Sequence, residues 1–90
     1  MHKSLAQCSQ IVNAAKTRVR IGSKYRHYKS TDPDRQYQVT SIAILEATEE
    51  PVVIYQALYG DKLTWVRPLD SFCEKVKVGS RTVKRFQEVK

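Results

Sequence analysis

The sequence predicts a mainly β domain: one N-terminal α-helix followed by a small, strongly bent β-barrel. Three observations carry that expectation. Ser4-Leu-Ala-Gln7 has the form of a capping box ahead of an apolar stripe, which is how a helix begins. Val52 to Tyr59 and Leu63 to Arg67 are rich in β-branched and aromatic residues and are separated by Gly60-Asp61-Lys62, the signature of a hairpin. The remaining segments are short strand-like runs between turn residues, and such strands suit a partly closed barrel better than a flat sheet with free edges. A chain of 90 residues makes one domain, with the helix within residues 1–20 and the barrel within 21–90.

Each element has a local reason. In the helix, Leu5, Cys8, Ile11 or Val12, and Ala15 recur at three- and four-residue intervals, so one stripe is free to dock on the barrel, on a partner or on a second copy. Lys16, Arg18 and Arg20 lie where the last turn gives way, beside carbonyls that favour cations. Lys24 to Lys29 is a short strand, and Ser30-Thr-Asp-Pro-Asp34 is a turn-forming loop. Tyr37 to Leu45 is a long strand that is polar on one side at its start and apolar on both sides later. Glu46 to Pro51 turns the chain back into the next long strand, with proline tolerated at a strand's first residue. After Arg67, Pro68-Leu-Asp-Ser71 ends the ladder as one helical turn. Glu74 to Val78 alternates, Gly79-Ser80 turns, and Thr82, Val83 and Phe86 supply one final strand. The expected core is Tyr28, Val39, Ile42, Ile44, Val53, Leu58, Val66, Leu69, Phe72, Val76 and Phe86.

Several strings in fixed order resemble the bacterial family called domain of unknown function 1653. They are Gly22, the YRHYK of Tyr25 to Lys29, Val53 to Gly60, the WVRPL of Trp65 to Leu69, Phe72, Glu74, Val76 and the closing Arg85-Phe86. The sequence departs from the family pattern at Gln56, Cys73 and Lys84. The resemblance spans roughly Ile21 to Phe86 and implies that the barrel is SH3-like. It carries no catalytic or binding residues to transfer.

Charge is distributed unevenly. Residues 1–29 hold seven Lys or Arg and no acid, 30–74 hold three against eight, and 75–90 hold six against one, which returns the net +7. If the two ends are neighbours they form one basic surface, an attractor for phosphate, although lysines also simply solubilise small domains. The candidate basic patch is Lys16, Arg18, Arg20, Lys24, Lys29, Lys84 and Arg85. With two cysteines, no bilayer-length apolar run and no signal-peptide core, the expectation is a soluble, reducing, cytoplasmic protein that does not act at a membrane.

The chemistry points to binding rather than catalysis. Cys73 and His27 could pair only if the fold joined them, and no third residue is signalled to orient the imidazole. His2, Cys8, His27 and Cys73 show neither a CxxC pair nor histidines one helical turn apart, so neither a metal nor a cofactor is expected. The aromatic residues Tyr25, Tyr28, Tyr37, Tyr55, Tyr59 and Trp65 are numerous, and each serves either the core or a groove in which rings stack on bases, prolines or cations. The candidate ligand-binding residues are Tyr25, Arg26, His27, Tyr55, Tyr59, Trp65 and Arg67. Arg67 alternatively forms a structural pair with Asp70 or Glu74. The leading ligand is the backbone of RNA or DNA. The alternatives are a peptide or protein partner, or a small-molecule pocket lined by Tyr25, His27, Tyr55 and Trp65 with Arg67 as anion anchor.

Overall fold

The computed structural model describes residues 3–89, so His2 and Lys90 lie outside the described residues. Helix α1 spans Leu5–Arg18. It starts on the expected capping box: Gln7 N–H donates to Ser4 Oγ at 3.1 Å, and Ser4 N–H donates to Gln7 Oε1 at 2.8 Å. The strands are β1 (Lys24–His27), β2 (Tyr37–Leu45), β3 (Glu50–Ala57), β4 (Thr64–Pro68), β5 (Lys75–Val78), β6 (Arg81–Lys84) and β7 (Phe86–Val89), with the single-turn helix α2 (Leu69–Phe72) after β4. Among the described residues no helix is long and apolar enough to cross a membrane.

The five-stranded sheet is antiparallel, in the order β4-β3-β2-β1-β7, and β5 and β6 form a separate two-stranded ribbon. The fold is therefore mainly β with one N-terminal helix, as expected, but the sheet is open and does not close into a barrel. Closure is replaced by a corner at Arg85, where the expected single final strand splits in two. Arg85 N–H donates to Glu74 carbonyl at 2.9 Å, in register with the ribbon, while Arg85 carbonyl accepts Tyr28 N–H at 2.9 Å, in register with β1 and β7. One residue thus hands the chain from ribbon to sheet. The ribbon itself turns tightly at Gly79-Ser80, where a positive φ of 62° at Gly79 suits glycine at the first position of a two-residue hairpin.

A β-bulge explains the mixed pattern of β2. Val39 pairs with Tyr55 and Ser41 with Ile54, so Thr40 is the extra residue. The insertion reverses the facing of every later side chain, and Val39 and Ile42 consequently both reach the core. That core joins Ala15 and Val19 of and after α1 to Tyr25, Val39, Ile42, Val53, Tyr55, Leu69, Phe72 and Phe86. Phe72 and Phe86 stack face to face at 4.2 Å, and Tyr25 and Tyr55 meet Phe72 edge-on at 5.3 and 5.4 Å. The expected core is corrected at several positions. Val66 is 64% exposed on the edge strand β4, Val76 is half-buried on the ribbon, which forms its own sheet, and Tyr28, Ile44 and Leu58 are half-buried at or just past the ends of β1, β2 and β3. The stripe of α1 is buried only at its C-terminal half: Ala15 is sealed and Val12 packs on the core, whereas Leu5 is 88% exposed.

Candidate functional site

The first and last basic segments are joined in space, because Lys24 to His27 pair residue by residue with Val89 to Phe86. Beyond the end of β1 the chain enters the loop 28–36, which is tied to itself. Asp34 N–H donates to Asp32 Oδ1 at 2.9 Å, Arg35 N–H to Asp32 carbonyl at 3.1 Å, and Gln36 Nε2 to Pro33 carbonyl at 3.0 Å. Such local bonding by aspartate and proline is why the segment leaves the ladder and stands out as a wall.

This wall makes an open cleft of about 460 Å³ lined by His27, Lys29, Ser30, Thr31, Asp32, Arg35, Tyr37 and Tyr59. The Tyr37 and Tyr59 hydroxyls share a hydrogen bond of 2.8 Å, and the Arg35 guanidinium lies 5.2 Å from the centre of the Tyr59 ring. Burial, then the bond to Tyr59, pushes the pKa of the Tyr37 hydroxyl up to about 12. A second cleft of about 270 Å³ lies between β1 and the ribbon, lined by Arg26, His27, Tyr28, Ser30, Val78, Arg81, Val83, Lys84 and Gln87. His27 and Ser30 belong to both.

His27 is the residue around which the two clefts meet. Its Nδ1 accepts Lys29 N–H at 3.2 Å, and its ring rests edge-on against Phe86 at 5.0 Å. The neutral ring therefore carries its proton on Nε2, which has no protein partner among the described residues. Burial, followed by the positive charges of Arg67, Arg85 and Lys29, lowers its pKa. The field around it is cationic. Together the two clefts are lined by Arg26, Lys29, Arg35, Arg81 and Lys84, against Asp32 as the one acid. Asp32 faces Arg35 at 3.9 Å, too far for a strong neutralising contact.

Other expected site residues are placed elsewhere. Tyr25 and Tyr55 are 6% and 5% exposed, so neither can stack on a ligand; Tyr25 Oη instead accepts Arg20 N–H at 3.0 Å. They point inward because alternation puts them on the face shared with Val53 and Phe72. Trp65 is 50% exposed on β4, across the sheet from β1, and does not join Tyr25, His27 and Tyr55 in one pocket. Arg67 pairs with neither Asp70 nor Glu74. Its guanidinium donates to Ser71 Oγ at 3.0 Å and to Tyr55 Oη at 3.5 Å, and it lies 5.6 Å from the centre of the Phe86 ring. Asp70 is taken by Arg18 at 3.0 Å, and Glu74 by Arg85 at 3.1 Å. Lys16, Arg20 and Lys24 are exposed but outside both clefts.

Cys73 lines a separate, smaller cleft with Arg18, Lys84 and Glu88, so the fold does not join it to His27. Burial pushes its thiol pKa up. Arg35 and Arg81 were not legible as site residues. Each sits beside a turn in no recognisable motif, and only the folding of the loop and the ribbon around His27 brings them together.

Comparison with known proteins gives two matches. A sequence model described as "Protein of unknown function (DUF1653)" covers residues 23–88. A crystal structure of a DUF1653 protein from Bordetella bronchiseptica is 31% identical with a TM-score of 0.64, over 76% of this chain and 85% of that one. No curated protein matches the chain.

Proposed function

The chain belongs to the DUF1653 family of proteins of unknown function, and we propose that it is a non-enzymatic module that binds the phosphate backbone of RNA or DNA through the paired clefts around His27. The observation that carries this reading is the composition of the cleft walls: five Lys or Arg side chains against one carboxylate, in two clefts that share a histidine whose Nε2 has no partner among the described residues. Guanidinium and ammonium groups spaced along a groove can each neutralise a successive phosphate, and the counterions so released drive binding. Tyr28 and Tyr59, half-buried beside Lys29 and Arg35, replace Tyr25 and Tyr55 as the rings on which bases rest. The groups offered are cations and hydrogen-bond donors; no nucleophile–base pair belongs to the reading. On this view the fold is an SH3-like barrel left open beside the β5–β6 ribbon, and the protein works in the cytoplasm, where Cys8 and Cys73 stay reduced.

Fluorescence anisotropy with a labelled single-stranded oligonucleotide tests the proposal. Affinity should fall linearly with salt on logarithmic axes, with a slope of about −0.7 per phosphate contacted, reaching roughly −3.5 if all five cations engage. Lys29→Glu and Arg81→Glu should each make the slope shallower, whereas Lys16→Glu should not. A folded sample that binds neither RNA nor DNA at low salt eliminates the reading.

A further inference from the structure

We propose that β4 is a self-pairing edge, through which two copies of this chain join their five-stranded sheets antiparallel about a two-fold axis at Val66. β4 ends the strand order, and among the described residues nothing pairs with its outer side. The hydrogen-bond phase of this edge follows from its inner neighbour. Ala57 N–H donates to Leu63 carbonyl at 2.9 Å, and the register continues as Tyr55 with Trp65 and Val53 with Arg67. Odd-numbered residues therefore bond to β3, and Thr64 and Val66 direct both their amides and carbonyls outward. Pro68 directs a carbonyl only.

The middle of the edge carries none of the devices that keep strand edges apart, which are confined to its end at Arg67 and Pro68. Thr64, Trp65 and Val66 carry no charge, no bulge interrupts β4, and Leu63, Trp65 and Val66 are 56%, 50% and 64% exposed. The opposite edge, β7, presents Gln87 and Glu88 instead.

A second copy fits because the strand is self-complementary about its middle residue. Val66 paired with Val66 of the other copy makes two reciprocal amide–carbonyl bonds, and each Thr64 amide reaches the Pro68 carbonyl of the other copy. The donor that proline lacks falls at the ends of the overlap, where its absence does least harm. Sliding the strands shortens the overlap, against α2 on one side and against Lys62, with its φ of 54°, on the other. The centred register also sets Trp65 of each copy across from Arg67 of the other, where the indole can pack on the aliphatic stem of the arginine while its guanidinium keeps its bonds to Ser71 and Tyr55. His27 lies on β1, three strands from β4, so the pairing leaves the residue shared by the two clefts on the far side of the sheet.

Sedimentation equilibrium from micromolar to millimolar protein tests this. The mass should rise from one chain to two, and the emission of Trp65, the single tryptophan, should shift to the blue over the same range. Val66→Lys, at an exposed position, should stay at the mass of one chain with an unchanged melting curve at micromolar concentration. Thr64→Lys serves as the second variant should Val66→Lys melt early. A wild-type mass of one chain up to millimolar concentration, or association undiminished in the folded lysine variants, overturns the proposal.

Discussion

Truncating Phe72 removes the side chain on which the two halves of the fold meet. Phe72 is 2% exposed on the short helix α2 and touches rings from three strands: Tyr25 of β1, Tyr55 of β3 and Phe86 of β7. Phe72→Ala forfeits the transfer free energy of a buried ring and leaves a cavity that three further rings must collapse to fill, a loss of about 3–5 kcal/mol. At about 4–8 °C per kcal/mol for a domain of this size, the melting temperature should fall by on the order of 12–40 °C. Phe72→Leu keeps most of the apolar volume but loses the stacked and edge-on ring contacts, and should cost about 1–2 kcal/mol. Urea denaturation followed by near-ultraviolet circular dichroism reads both values, because the signal arises from this ring cluster. Leu63→Ala, at an exposed site, is the control and should shift stability by less than about 0.5 kcal/mol. A Phe72→Ala loss below about 1.5 kcal/mol, or equal losses for alanine and leucine, would refute the idea that ring packing organises this core.

Ser4→Ala removes the hydroxyl that caps α1 and should cost about 1 kcal/mol in the same denaturation experiment, with Ser4→Asn nearly neutral. Glu74→Ala strips the partner from Arg85, whose side chain is only 22% exposed at the corner between ribbon and sheet, and should cost about 1–2 kcal/mol. Because folded His27 resists protonation, the unfolded chain binds more protons once the pH falls below the ordinary imidazole value of about 6.5. His27 therefore subtracts stability progressively between that value and its lower folded pKa and subtracts none well above both. Urea midpoints measured at about pH 7.5 and about pH 5.5 should differ more for the wild type than for His27→Gln, and equal differences would remove His27 as the cause.

Much of the fold could be read from local chemistry. The Ser4–Gln7 box, the hairpin around Gly60 and the turn at Gly79-Ser80 each depend on a few neighbouring residues, and each stands where expected. What was not legible depends on tertiary phase. The inward positions of β2 switch from Val39 to Ile42 because the Thr40 bulge changes which side faces in, and no sequence pattern marks a bulge before the partner strand is known. The same limit governed the aromatics. Tyr25 and Tyr55 have the composition of groove residues, but their faces meet Phe72 and Phe86 from distant parts of the chain and are buried. Arg67 showed the converse: its nearby acids were visible, yet Arg18 and Arg85 reach those acids first from other elements. Lys29 and His27 were identifiable beside the YRHYK string, whereas Arg35 and Arg81 entered the site only through the placement of a loop and a ribbon.

The central claim is that the clefts meeting at His27 form a nucleic-acid interface, and amide chemical-shift mapping during titration with a short single-stranded oligonucleotide tests it most directly. Saturable shifts should concentrate at Arg26 to Lys29, at Arg35 and Tyr59, and along Arg81 to Lys84, leaving α1 and β4 unmoved, with the His27 ring titrating at higher pH once phosphate neutralises the surrounding cations. Shifts confined to α1 or to the Trp65 edge, or an unchanged spectrum at low salt, would contradict it.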